Sequence, residues 1–222
     1  IPLNQFYSTP NSFAQLGSGN GMQPFKTVQD YDNFLKRLDG FVAWTDQALV
    51  NMKQGVQRGY TLPKVLAERT LPQLEAHIVA RPEDSLYWGP IAKMPAEFSA
   101  ADRERLTNAY RAAIETKVVP AYRRLRDYMR DEYLPKTRLS DGMEGLPNGK
   151  AWYAYNVKRI TTTDYTPEQI HQIGLDEVAR IHGQMGELQQ RMGIDGSLAD
   201  FFAAMKADPA NYFASEDELL KA

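Results

Sequence analysis

The feature that most restricts this chain is a run of apolar side chains: Leu106, Tyr110, Ile114, Val118, Tyr122, Leu125 and Met129. They recur in steps of four and three, which return to the same side of an α-helix, so all of them lie on one face. A strand would send alternate residues to opposite sides and could not gather them. Ser99-Ala-Ala-Asp102 supplies a cap and an acidic first turn for this helix. Pro120 falls inside the stripe. Because the stripe continues in phase beyond it, the spacing predicts a kinked helix rather than a stop.

The same reading extends along the chain. Thr27-Val-Gln-Asp30 opens a helix with apolar residues at Tyr31, Phe34, Leu35, Leu38, Val42, Leu49 and Met52, and Gly55 and Gly59 end it. Thr61-Leu-Pro63 starts a second, through Leu74 to Ile78, which Pro72 should kink or split. Residues 81–98 read as a loop broken by Pro82, Pro90 and Pro95 and anchored by Tyr87-Trp88. A short helix is expected from Gly149 to Ile160. The clearest local signal is Thr166-Pro-Glu-Gln169, where Thr166 caps, Pro167 suits the first helical position and Gln169 reaches back to the cap N–H. That helix runs to about Met192, with Gly193 closing it. Ser197-Leu-Ala-Asp200 starts another, ended by Pro209, and Ser215-Glu-Asp-Glu218 starts the last.

No alternating strand pattern competes with these segments. The expected fold is all-α, an irregular multi-helix array of amphipathic helices forming the front half of a larger helical scaffold. Residues 1–26 read as an extended N-terminal arm whose Leu3, Phe6, Phe13, Leu16, Met22 and Phe25 dock on the remainder. Residues 27–222 read as a helical domain truncated at its C-terminal end, because the last helix has only Leu219 and Leu220 to bury before the sequence stops.

Composition narrows the chemistry. Lys and Arg total 26 against 28 Asp and Glu, so the concentrated basic surface that nucleic acid requires is missing. No apolar run approaches the roughly 20 residues needed to span a bilayer as a helix. The chain has no cysteine, which removes disulfides, thiolate catalysis and cysteine-ligated zinc. Of the three histidines, His77 is expected exposed or at a helix end. His171 and His182 share one helix face but stand about 16 Å apart along it, too far to ligate one metal. Glu168-Gln-Ile-His171 is a lone Glu-x-x-His where a di-iron bundle needs two. Neither His-Glu-x-x-His nor Gly-x-Ser-x-Gly occurs. Gly17-Ser-Gly-Asn-Gly21 lacks the Lys-Ser/Thr of a phosphate-binding loop and reads as a flexible surface loop. Arg123, Arg124, Arg126 and Arg130, interleaved with Asp127 and Asp131, read as a solvated ion-paired face. No catalytic residue, no metal ligand and no cofactor is therefore assigned to this chain.

One block is different in kind. Trp152-Tyr-Ala-Tyr155 with Arg159 can line a groove, aiming tyrosine hydroxyls and a guanidinium at a peptide carbonyl or carboxylate. Tyr153, Tyr155 and Arg159 are the candidate substrate-binding residues. The competing reading places the aromatics in the core, most of all Trp152.

Several longer motifs carry a resemblance. They are Val119-Pro-Ala-Tyr-Arg-Arg-Leu125, Asp131-Glu-Tyr-Leu-Pro135, Leu146-Pro-Asn-Gly149, Trp152-Tyr-Ala-Tyr155, Thr161-Thr-Thr-Asp164, Thr166-Pro-Glu-Gln-Ile-His171 and Gly174-Leu-Asp-Glu-Val-Ala-Arg-Ile181. Together they resemble the bacterial family called domain of unknown function 885, over most of the chain. The resemblance implies all-helical, zinc-metallopeptidase-like proteins that are often exported or lipid-anchored, and hence a periplasmic or cell-envelope lipoprotein. It places the metal-binding His-Glu-x-x-x-x-His-His segment downstream of the residues present here, so no metal ligand is carried over and zinc belongs to a full-length parent. Its implied partners are the remaining C-terminal part of the same protein and a peptide substrate. The chain is then expected to be an N-terminal scaffold fragment of a zinc-dependent peptidase, inactive alone. The alternatives are a non-catalytic helical module binding peptide or polysaccharide, and a scaffold without catalysis at full length.

Overall fold

Ser8 opens the first element by accepting the Asn11 N–H, and Pro10 sits in the first turn of α1 (Thr9–Gly17). The computed structural model describes residues 2–222, so Ile1 of the expected arm lies outside the described residues. The arm is not extended throughout: Thr9–Gly17 is helical, because Ser8-Thr-Pro10 is a good start and the core holds the result. Phe13 stacks on Phe34 and Phe41, with centroids 5.5 and 4.8 Å apart, and Leu3 and Ala14 are buried. Phe6 and Met22 stay exposed.

The long axis of this first unit, which ends at Trp152, is α2 (Val28–Gln57). Thr27 and Asp30 form a reciprocal capping box at its start. Its buried residues, Tyr31, Phe34, Leu38, Phe41, Thr45, Ala48 and Met52, alternate steps of three and four and so hold one seam along about 45 Å of helix. Thr45, the polar member of that seam, returns its hydroxyl to the Phe41 carbonyl at 2.9 Å. Next, α3 (Lys64–Glu75) runs continuously through Pro72 and ends before Ile78. The segment expected as a loop contains two 3₁₀ turns and the short α4 (Gly89–Ala92). Both expected anchors are in place: Tyr87 is buried, and the half-buried Trp88 ring carries the Arg111 guanidinium 5.2 Å from its centre.

The stripe helix resolves the Pro120 problem without stopping. α5 (Ala100–Ala113) passes into a π-helical turn at Ile114–Val118, continues as α6 (Val119–Asp127), and widens again at Tyr128–Tyr133. Each wide turn ends two residues before a proline, Pro120 or Pro135. The Val119 N–H accordingly bonds to the Ile114 carbonyl, and Leu134 N–H to Met129. There is a second reason for the widening. Tyr110, Ile114, Val118 and Tyr122 are spaced by four, and each such step overshoots a regular α-turn by about 40°. An extra residue per turn cancels that drift and keeps all of them, fully buried, against α2 and α3.

The outer face carries the expected ion pairs: Arg124–Asp46 at 3.2 Å, Arg126–Asp127 at 2.6 Å and Arg130–Asp131 at 2.6 Å. No sheet forms among the described residues. One parallel bridge ties Pro63 to Arg138, with Lys64 N–H donating to the Arg138 carbonyl at 2.9 Å. The glycine cluster expected to be flexible is instead closely packed. A Cβ on Gly17 would lie 2.5 Å from the Tyr87 ring, and one on Gly89 would lie 2.1 Å from the Ser18 carbonyl oxygen.

α7 (Gly149–Thr161) contains the boundary between the units, and the second unit begins at Tyr153. That unit holds α8 (Pro167–Arg191), α9 (Leu198–Ala207) and α10 (Glu216–Lys221). α9 packs on α8, and Phe201 is buried between them, while Gln189 donates to the Gly196 carbonyl at 3.0 Å. The architecture is all-α, as the caps and stripes predict.

Candidate functional site

The candidate residues stand on α7, whose ends are both set by unusual backbone. Asn148 precedes the helix at φ 55°, a left-handed conformation that asparagine tolerates. Gly149 follows, where a Cβ would fall 1.9 Å from the Met143 carbonyl oxygen. At the far end Thr162 adopts φ 59°, which is costly for a β-branched residue. Its N–H closes on the Lys158 carbonyl at 2.9 Å. The Thr161 hydroxyl bonds back to the Val157 carbonyl at 2.9 Å and meets the Thr163 hydroxyl at 2.9 Å. Lys158 reaches over to Asp164 at 2.7 Å, and this contact holds the Asp164 carboxyl below its ordinary range. The threonine run thus ends α7 and turns the chain into the Thr166 cap, where Gln169 Oε1 accepts the Thr166 N–H at 2.8 Å.

All three candidate side chains are exposed, Tyr155 at 63%. Tyr155 and Arg159 are four residues apart and adjacent on one face. Tyr153 lies about 160° around the helix from Tyr155, so the three do not form a single cluster on α7. No ion pair or hydrogen bond to another described residue engages the side chains of Tyr153, Tyr155 or Arg159. Trp152 is not a core residue. It is 45% exposed and touches Tyr60 edge-on at 6.4 Å.

The second unit shows a further feature. Ile170, Val178, Ile181, Met185, Leu188 and Met192 fall within a narrow arc of α8. Val178, Ile181, Leu188 and Met192 are each more than a third exposed, as are Phe202, Met205, Tyr212 and Phe213 beyond them. A helix stripe of this kind normally faces a core; here only Ile170 and Met185 are partly covered.

The histidines do not meet. His171 and His182 are both exposed on α8, and among the described residues no group of three or more His, Asp and Glu is placed to hold a metal. The residues present therefore do not fit a zinc site. His77 is at a helix end, just beyond α3, but buried: its ring lies 4.4 Å from that of Tyr122, and loss of hydration lowers its pKa. Tyr122 is the centre of a network the sequence does not reveal. Its hydroxyl donates to the Pro10 carbonyl at 2.7 Å and accepts from the Tyr87 hydroxyl at 2.9 Å. Burial drives both phenols far above their ordinary titration range. They stay protonated and act as structural ties. Only the chemical type of these residues was visible in the sequence; their partners are distant along the chain.

The model of the family described as "Bacterial protein of unknown function (DUF885)" matches residues 1–222. The chain belongs to this family. The domain of unknown function 885 resemblance carried by the motifs is thereby established, including the segment that forms α7 and α8. No curated protein matches. The fold is shared with a crystal structure described as "the putative lipoprotein from Colwellia psychrerythraea", at TM-score 0.85 and 21% identity. That match covers 100% of this chain but 38% of the other, so this chain spans well under half of the solved protein's length. No helix among the described residues is long and apolar enough to cross a membrane.

Proposed function

We propose that this chain is the leading helical scaffold of a longer cell-envelope peptidase, inactive alone, with Tyr155 and Arg159 facing a peptide substrate and Tyr153 on another side of α7. The observation that carries the reading is the Tyr155–Arg159 pair, one turn apart on α7, exposed and paired with no other described residue. A guanidinium offers five N–H donors in a fixed fork, suited to a peptide carbonyl or terminal carboxylate. The adjacent phenol supplies a flat apolar surface with a hydroxyl at its tip. The uncovered α8 stripe supports a partner in the remaining C-terminal part of the same protein. Burying such side chains is worth roughly 1.5–3 kcal/mol each, a large incentive for further chain to pack there. The greater length of the solved relative is in keeping with this, and its description as a lipoprotein supports a periplasmic or envelope location. The peptidase class rests on the family resemblance, and the zinc it implies finds no fitting residues here, so bond cleavage is assigned to residues outside this chain.

The test uses the longer protein with zinc supplied and a library of short peptides. Tyr155→Ala and Arg159→Ala should each lower kcat/KM about 10- to 100-fold while the far-ultraviolet circular dichroism is unchanged. Absence of peptide hydrolysis, or saturable binding of peptide or polysaccharide without turnover, would refute the peptidase reading. Hydrolysis untouched by both substitutions would remove α7 from the substrate wall.

A further inference from the structure

The Gly17-Ser-Gly-Asn-Gly21 segment and the residues after it build a concavity on the first unit, of about 400 Å³. Its size falls in the range of small-molecule sites. Five of its lining residues, Gly19, Gly21, Met22, Gln23 and Phe25, have backbone N–H groups that donate to no other described residue. Successive N–H groups without partners in an irregular loop form an anion-attracting hollow. The loop is not free to collapse and pair them. Gly19 is held at φ 76° against Pro90, and the Asn20 N–H is tied to Ser18 Oγ at 3.2 Å.

The charge is also one-sided. Lys26 and Lys93 line the hollow, no acidic residue does, and neither lysine enters an ion pair among the described residues. Lys93 is aimed by Asn20, whose Oδ1 accepts from Nζ at 2.8 Å. The carboxylate that caps α2, Asp30, is occupied by the N–H groups of Lys26 and Thr27 at 3.0 and 2.8 Å. The remaining wall is apolar: Met22, Phe25, Pro90 and the buried ring of Tyr31. We propose that this hollow binds a small organic carboxylate bearing an apolar group, its oxygens on the loop N–H groups and the two lysines, its apolar part on Phe25. Inorganic phosphate would satisfy the donors but leave that wall unused.

The test follows backbone amide shifts of the protein while N-acetyl-phenylalanine or inorganic phosphate is added. N-acetyl-phenylalanine should shift Gly19, Gly21, Met22, Gln23 and Phe25 saturably. Lys26→Met and Lys93→Met should each weaken it about tenfold, the effect of losing one charge-assisted contact. Lys26 makes no side-chain hydrogen bond to another described residue, so its variant leaves the loop intact even if the Lys93 variant loosens it through Asn20. Phosphate binding as tightly as the organic acid would overturn the assignment. So would the absence of saturable shifts, or affinity unchanged in the Lys26 variant.

Discussion

Replacing Tyr122 by Phe tests the idea that buried phenols tie α1 to the helical core. The ring is fully buried and the substitution keeps its shape, so no cavity of consequence opens. One oxygen is lost, and with it two hydrogen bonds, to the Pro10 carbonyl and from the Tyr87 hydroxyl. The Pro10 carbonyl lies within α1 and keeps its place in the helical ladder, so the buried Tyr87 hydroxyl is the group left without a match. An ordinary bond contributes about 1 kcal/mol and a stranded buried group costs about 1–3 kcal/mol, so Tyr122→Phe should destabilise by roughly 2–4 kcal/mol. Tyr87→Phe removes one bond only and leaves Tyr122 donating to Pro10, so it should cost about 1 kcal/mol. In the double variant the stranded Tyr87 hydroxyl is gone too, and the loss should not exceed that of Tyr122→Phe alone. Urea unfolding at neutral pH gives all three values, and hydrogen exchange should show α1 opening first in Tyr122→Phe. A Tyr87→Phe loss equal to or above that of Tyr122→Phe, or a double variant costing the sum of the singles, would refute the reasoning.

Two further outcomes follow from local features. Burial lowers the His77 pKa below its unfolded value of about 6.5, so as pH falls through that value the unfolded chain takes up the proton first and stability drops. His77→Phe should flatten the fall below about pH 6.5, and an unchanged slope in urea titrations across that range would contradict it. Thr166→Ala breaks the capping box of α8 and should cost about 1 kcal/mol, with faster amide exchange at Gln169; protection unchanged there would show that the cap is not holding the helix start.

The sequence by itself carries the chemistry that acts over three or four residues. Thr27 with Asp30, Ser99 with Asp102, Thr166 with Gln169 and Ser197 with Asp200 all cap as expected, because donor and acceptor are neighbours in the chain. The apolar stripes identified the buried faces of α2 and of α5 with α6 for the same reason. α1 escaped notice because nine residues are marginal as an isolated helix; the packing of Phe13 on Phe34 and Phe41 makes it form. The π-turns answer to two demands at once, a proline and the need to keep side chains spaced by four against α2. Gly17 and Gly89 look like flexible residues until Tyr87 and the Ser18 carbonyl are brought within contact by the fold. His77 is buried for the same reason, by the ring of Tyr122 from another helix. At the candidate site the helical period alone puts Tyr155 beside Arg159 and Tyr153 on a different side. Their exposure, and that of the α8 stripe, depends on which surfaces the rest of the chain covers. That is a property of packing between distant segments, and no local pattern encodes it.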